Sequence, residues 1–179
     1  MDTRFPDCQQ EGINIISKAL QNCLNITTLK LRLGNYKIDL LTQKFANTLK
    51  NLLNLESLNI NLSENEIKAE GAKNISFILQ KCQKLKSLTL DLEQFQILNK
   101  LSKEGGTYIA QGLQSCSNIN FMNLSLNMNL FKRFLNISSN EMGLKKGKDV
   151  KSITDSLQLC QNITNLSLDL GCEIYLEIT

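Results

Sequence analysis

Apolar residues recur along the chain in one frame, G-x3-Φ-x3-L-x2-C-x2-Φ-x2-L-x-L-x-L with Φ apolar, and the frame is met five times. Its first position holds Gly12, Leu41, Gly71, Gly105 and Asp149, and four residues on stand Ile16, Phe45, Ile75, Ile109 and Ile153. Leu20, Leu49, Leu79, Leu113 and Leu157 come next, then Cys23, Leu52, Cys82, Cys116 and Cys160, then Ile26, Leu55, Leu85, Ile119 and Ile163. Each unit closes on an alternating triplet: Leu29/Leu31/Leu33, Leu58/Ile60/Leu62, Leu88/Leu90/Leu92, Met122/Leu124/Leu126 and Leu166/Leu168/Leu170. The first half has helical spacing. Gly71, Ile75, Leu79 and Cys82 fall at i, i+4, i+8 and i+11, one stripe of an amphipathic helix. The second half alternates, as in Leu88-Thr89-Leu90-Asp91-Leu92, which is a strand with one buried face. Each unit thus predicts a helix followed by a strand.

Equivalent strands joined through helices run parallel, with right-handed crossovers. Strands pack ~4.8 Å apart and helices ~8–10 Å apart. Such an array must curve, with strands on the concave side and helices on the convex side. The slot after the first apolar residue is small in every copy (Ser17, Ala46, Ser76, Ala110, Thr154), which is expected to let the helix approach the sheet. Glu11, Glu70 and Glu104 precede the glycines and complement a helix dipole, so they are expected to mark helix starts.

The strands begin at Leu29, Leu58, Leu88, Met122 and Leu166, spacings of 29, 30, 34 and 44 residues. The longest spacing predicts an insertion near 127–148, a loop that a solenoid tolerates at little entropic cost. Within it, Asn136 to Met142 echoes the turn Asn61 to Ile67, so a short strand Phe134 to Ile137 competes with a plain insertion. The seven residues between Leu126 and Phe134 are too few for a helical crossover, which favours the insertion.

This frame resembles the leucine-rich repeats of the ribonuclease-inhibitor type, from about Glu11 to Leu170. The Cys slot is similar to the cysteine-containing variety. The richness in Asn and Lys and the extra alternating Leu resemble the large sets of such proteins in ciliates. The resemblance implies an α/β leucine-rich-repeat solenoid, or horseshoe: one domain over 1–179, of about five repeats. There is one departure. The usual repeat reads L-x-x-L-x-L-x-x-N-x-L, and its Asn satisfies backbone groups at the turn. Here that slot holds Gly34, Ser63, Glu93, Asn127 and Gly171, with Asn35 and Asn65 one and two places later. A longer strand and a shifted turn are expected.

Composition narrows the partners. The 179 residues are a one-domain length, and a formal charge of +3 is too small to point to nucleic acid. No apolar run approaches the ~20 residues that span a bilayer, so no membrane partner is expected. Met1 to Gln10 is polar and has no signal-peptide core. A cytoplasmic location is expected, cytoskeletal or ciliary if the ciliate resemblance is followed. Leu52 shares the slot of Cys23, Cys82, Cys116 and Cys160, so these cysteines are expected to be small buried hydrophobes in a reducing compartment, with Cys8 and Cys172 more exposed. With no His and no C-x-x-C pair, no metal is expected. The N-x-S/T triplets at Asn25, Asn123 and Asn162 each hold a core Ile or Leu in the middle and are expected to be chance in an Asn-rich repeat.

The positions between the buried residues of each triplet should point off the concave face. They are Thr28, Lys30 and Arg32; Ser57, Asn59 and Asn61; Ser87, Thr89 and Asp91; Phe121, Asn123 and Ser125; and Asn165, Ser167 and Asp169. The face starts basic at Lys30 and Arg32 and carries acid at Asp91 and Asp169. The resemblance implies that such a face binds a protein; the alternative is a solvated sheet face whose partner docks elsewhere. The second candidate is Phe131-Lys132-Arg133-Phe134 in the insertion. Aromatics and Arg dominate hot spots, although the two rings could instead pack the loop onto the repeats.

No catalysis, cofactor or small-molecule substrate is expected. Without His, a Ser or Cys nucleophile lacks its usual base. Gly105-Gly106 is too short for a phosphate loop, and Asp91 and Asp169 sit in different repeats. The expectation is a non-catalytic protein–protein scaffold, a subunit of a larger assembly. The alternative, borrowed from inhibitor and GTPase-activating members of the superfamily, is a regulator of a nuclease or small GTPase through the concave face. After Leu170 the alternation of Gly171 to Thr179 could extend a strand, with no closing helix. Solenoid ends need polar caps, so this end is expected to be covered by itself or by a partner, or to continue a longer array.

Overall fold

The computed structural model describes residues 6–34, 43–65, 67–93, 103–126, 162–169 and 175–178. It is an α/β structure in which helix and strand alternate: α1 (Pro6–Gln21), β1 (Thr28–Arg32), α2 (Gln43–Leu49), β2 (Ser57–Asn61), α3 (Ala69–Lys81), β3 (Ser87–Asp91), α4 (Lys103–Gln114) and β4 (Phe121–Ser125). β5 (Asn165–Asp169) and β6 (Tyr175–Ile178) complete one sheet of order β1-β2-β3-β4-β5-β6. β1 to β5 pair in parallel. Their register follows the sequence frame: Leu29, Leu58, Leu88, Met122 and Leu166 are successive partners across the sheet.

β6 departs from that pattern. It pairs antiparallel with β5, Leu168 opposite Leu176. The intervening chain, 170–174, is far shorter than the dozen or more residues of a parallel crossover, so the strand can only return. The alternation after Leu170 therefore does add a strand, and it covers the outer edge of β5. β4 is directly paired with β5. The intervening stretch 127–161, with the insertion, Phe131 and Phe134, lies outside the described residues.

The core lies between helices and sheet. The triplets of β2, β3 and β4 are 0 to 3 % exposed, whereas Leu29, Leu31 and Leu33 are 6 to 8 % exposed. The difference follows from topology, since β1 has a neighbour on one side alone among the described residues. Among those residues no helix is long and apolar enough to cross a membrane.

Two local expectations need correction, and a third is extended. Glu70 and Glu104 are indeed second in α3 and α4, but α1 starts at Pro6, so Glu11 lies in its second turn. Proline, with φ preset and no N–H to satisfy, suits a first turn. The small slot is buried at Ser17, Ala46, Ser76 and Ala110, and at Ser76 it is also where the next helix comes close. A methyl group placed on Gly112 of α4 would stand 2.8 Å from Ser76 Cα. The slot is one residue past the sheet-facing position, about 100° round the helix, and so lies on the flank. Finally, Cys82 and Cys116 are buried and outside any disulfide, but Cys23 is exposed. The slot faces the preceding repeat, as the 4.0 Å approach of Cys82 Sγ to the Leu52 carbonyl shows. Cys23 has no preceding repeat among the described residues.

Candidate functional site

Three rows, polar but for Phe121, cross the sheet on the side opposite the leucines. One row is Thr28, Ser57, Ser87, Phe121 and Asn165; the next is Lys30, Asn59, Thr89, Asn123 and Ser167; the third is Arg32, Asn61, Asp91, Ser125 and Asp169. The alternation of the strands puts every second residue here. On β1 these positions are exposed, and on β2 and β3 they are half-buried, because those strands are flanked on both sides. Phe121 is 41 % exposed. The rows bring Lys30, Arg32, Asn59, Asn61, Thr89 and Asp91 together around an open depression of about 580 Å³, with Gly34, Ser63 and Glu64 at its end. Asn123, Ser125 and Ser167 continue the rows beyond it. Asp169 takes its register position, and the candidate loop residues Phe131, Lys132, Arg133 and Phe134 lie outside the described residues.

One end of the depression is a closed hydrogen-bond network. Asn61 Nδ2 donates to Asp91 Oδ2. Asn61 Oδ1 accepts from the Ser63 amide at 3.2 Å and the Ser63 hydroxyl at 2.8 Å, and Asp91 Oδ1 accepts from the Glu93 amide at 2.9 Å. Both strand-end side chains therefore turn their own chains, and Asn61 also links to the next repeat. Gly34 lets the first turn come close to this network: a Cβ there would stand 2.6 Å from Asn61 Oδ1. Glu64, at φ 55°, is in the left-handed region and donates its amide to the Glu93 carbonyl at 2.9 Å. Two of the candidate site residues, Asn61 and Asp91, are thus engaged in structure. Lys30 and Arg32 have no ion-pair partner among the described residues.

The displaced asparagine has the job expected of a turn asparagine. Asn65 is fully buried and its Nδ2 reaches the carbonyls of Leu33 at 2.6 Å, Leu62 at 2.9 Å and Ser63 at 3.1 Å. Buried backbone carbonyls need donors, and this side chain supplies them across two repeats.

A second ladder escaped the sequence reading. Two places after the Cys slot, Asn54 donates to the Leu24 carbonyl at 3.2 Å, Asn118 to the Gln83 carbonyl at 2.9 Å, and Asn162 to the Ser117 carbonyl at 2.8 Å. Lys84 occupies the slot in the third repeat and donates to Asn54 Oδ1 at 2.7 Å. Asn162 was expected to belong to a chance triplet; it ties one repeat to the one before. Its signal was the recurrence of Asn25, Asn54, Asn118 and Asn162 at one frame position. Nearby, Lys86 and Glu56 form an exposed ion pair at 2.8 Å, and the hydrogen bond and charge of Lys86 hold the Glu56 carboxyl below its ordinary pKa.

Burial pushes the Cys82 thiol up to about 11, which leaves it a weak nucleophile at neutral pH. Among the described residues no group of three or more Cys, Asp or Glu side chains is placed to hold a metal ion. What the arrangement offers is an extended polar surface, cationic at Lys30 and Arg32. No protein-family model matches the chain, and no curated protein is significantly similar to it.

Proposed function

We propose that this chain is a leucine-rich-repeat horseshoe of the ribonuclease-inhibitor-like type, with strands on the concave side, that binds another protein through its polar sheet face without catalysis. The observation that carries the reading is the set of three polar rows spanning five register-locked strands. Small side chains on a rigid sheet lose little conformational freedom when a partner docks. Lys30 and Arg32 supply charge at one side, and Asn59, Thr89 and Asn123 supply hydrogen-bonding groups between them and the far strands. The Asn61–Asp91 network keeps the end of the depression preorganised.

The reading carries with it a role as a subunit of a larger cytoplasmic assembly, cytoskeletal or ciliary. It is tested by placing a photo-crosslinking residue at Asn59 or Thr89 and, as control, at the exposed Phe77 of α3. The expected result is one protein captured from the native source at the face positions and absent at Phe77. Capture at Phe77 alone would overturn it. The identity of the captured protein separates a structural subunit from an enzyme held by a regulator.

A further inference from the structure

The surface of the first repeat that faces away from the second is built like an internal repeat interface. In the third repeat, Asn74, Ile78 and Cys82 are buried, and Cys82 points to the preceding repeat. In the fourth, Gly112 and Cys116 are buried, and Gly112 meets Ser76 of the preceding helix. The same frame positions in the first repeat are Ile15, Ala19 and Cys23, and all three are exposed, Ile15 by 61 %. Beside this stripe, the outer edge of β1 has no strand partner among the described residues. An unpaired edge is a template for another strand.

Charge and register select the occupant. Two β1 edges related by a two-fold axis at Lys30 or Leu31 would pair antiparallel with Lys30 opposite Lys30 or Arg32, and like charges directly opposite are destabilising. The opposite edge of the sheet offers a better match. β6 runs antiparallel to the repeat strands, and its register with β5 puts Glu177 in the row of Ser167, which is also the row of Lys30. We propose that the chain associates head to tail with copies of itself, the outer edge of β6 in one copy pairing antiparallel with the outer edge of β1 in the next. The rows then continue from copy to copy. Glu177 takes the position opposite Lys30 and Tyr175 the position opposite Arg32, while Leu176 and Ile178 come opposite Leu31 and Leu29. Such a contact joins two different surfaces, so it propagates instead of stopping at a dimer. It uses the sheet edges and stands independently of the face proposed above.

The test is sedimentation of the full chain over a concentration series at low salt. The wild type should grow in mass past the dimer as concentration rises. Lys30→Glu and Glu177→Lys should each associate roughly tenfold more weakly, as an attractive cross-strand charge pair becomes a repulsive one. An equimolar mixture of the two variants should recover growth past the dimer, because each then meets a complementary edge at both ends. Thermal melts verify that both variants fold, and Lys30→Asp, which keeps the reversed charge, replaces Lys30→Glu if that variant does not. A wild type that stays monomeric overturns the proposal. So does a mixture that remains monomeric or stops at the dimer, the latter being the signature of β1 pairing with β1.

Discussion

Alanine at Gly112 sets two effects of opposite sign against each other. In the interior of a helix, Gly→Ala is worth about 0.8–1.0 kcal/mol in favour of folding. Gly112, however, lies where α4 crosses α3. An added methyl would stand 2.8 Å from Ser76 Cα, 3.1 Å from Leu79 Cδ1 and 3.2 Å from Ser76 Oγ. The leucine methyl and the hydroxyl can rotate away; the Cα cannot move without its helix. Overpacking of this kind costs about 1–3 kcal/mol, and a clash against backbone belongs to the upper part of that range. The net expectation is a loss of about 1–2 kcal/mol, or roughly 2–8 °C in Tm at this chain length. Gly12 is the matched control, since a methyl there meets nothing within 4 Å. Gly12→Ala should gain close to the full propensity term and melt about 2–4 °C higher. Thermal unfolding of both variants, followed by circular dichroism, measures the pair. Should Gly112→Ala melt at or above the wild type, α3 and α4 do not approach as closely as described, and the account of the small-residue slot fails.

Three further outcomes are expected. Leu90→Asp should abolish folding, because an unpaired buried charge costs several kcal/mol against a total of ~5–15 kcal/mol, while Thr89→Asp, on the polar face, should be far milder; equal losses in thermal melts would contradict the strand register. Asn65→Ala should lose about 2–4 kcal/mol, since the carbonyls of Leu33, Leu62 and Ser63 lose their side-chain donor; urea unfolding measures it, and a loss below about 1 kcal/mol would remove Asn65 from the role given to it. In native protein at pH 8, a thiol reagent should modify Cys23 quickly and Cys82 and Cys116 only on unfolding, because burial leaves Cys82 about one part in a thousand thiolate; peptide mapping that finds Cys82 modified as fast as Cys23 would refute the packing of the slot.

The alternation in the triplets was enough to determine which side of each strand is buried and how the strands align. A one-residue slip would turn every leucine out of the core, so Leu29, Leu58, Leu88, Met122 and Leu166 had one consistent alignment, and the polar rows followed from it. Periodicity of this kind records contact with an element's own layer. It does not record the flanks, where one repeat meets the next. Ser76 against Gly112, the Asn54, Asn118 and Asn162 ladder, and the reach of Asn65 to Leu33 are all flank contacts between residues distant in sequence; the recurring Asn marked the ladder positions, but the tertiary structure alone decided the partners. The exposure of Cys23 belongs here too. Its frame position is that of Cys82, and what differs is whether a preceding repeat covers it. The direction of β6 was equally undecided by its pattern, because alternation is the same read either way along a strand. The short 170–174 connection and the pairing of Leu176 with Leu168 fixed it.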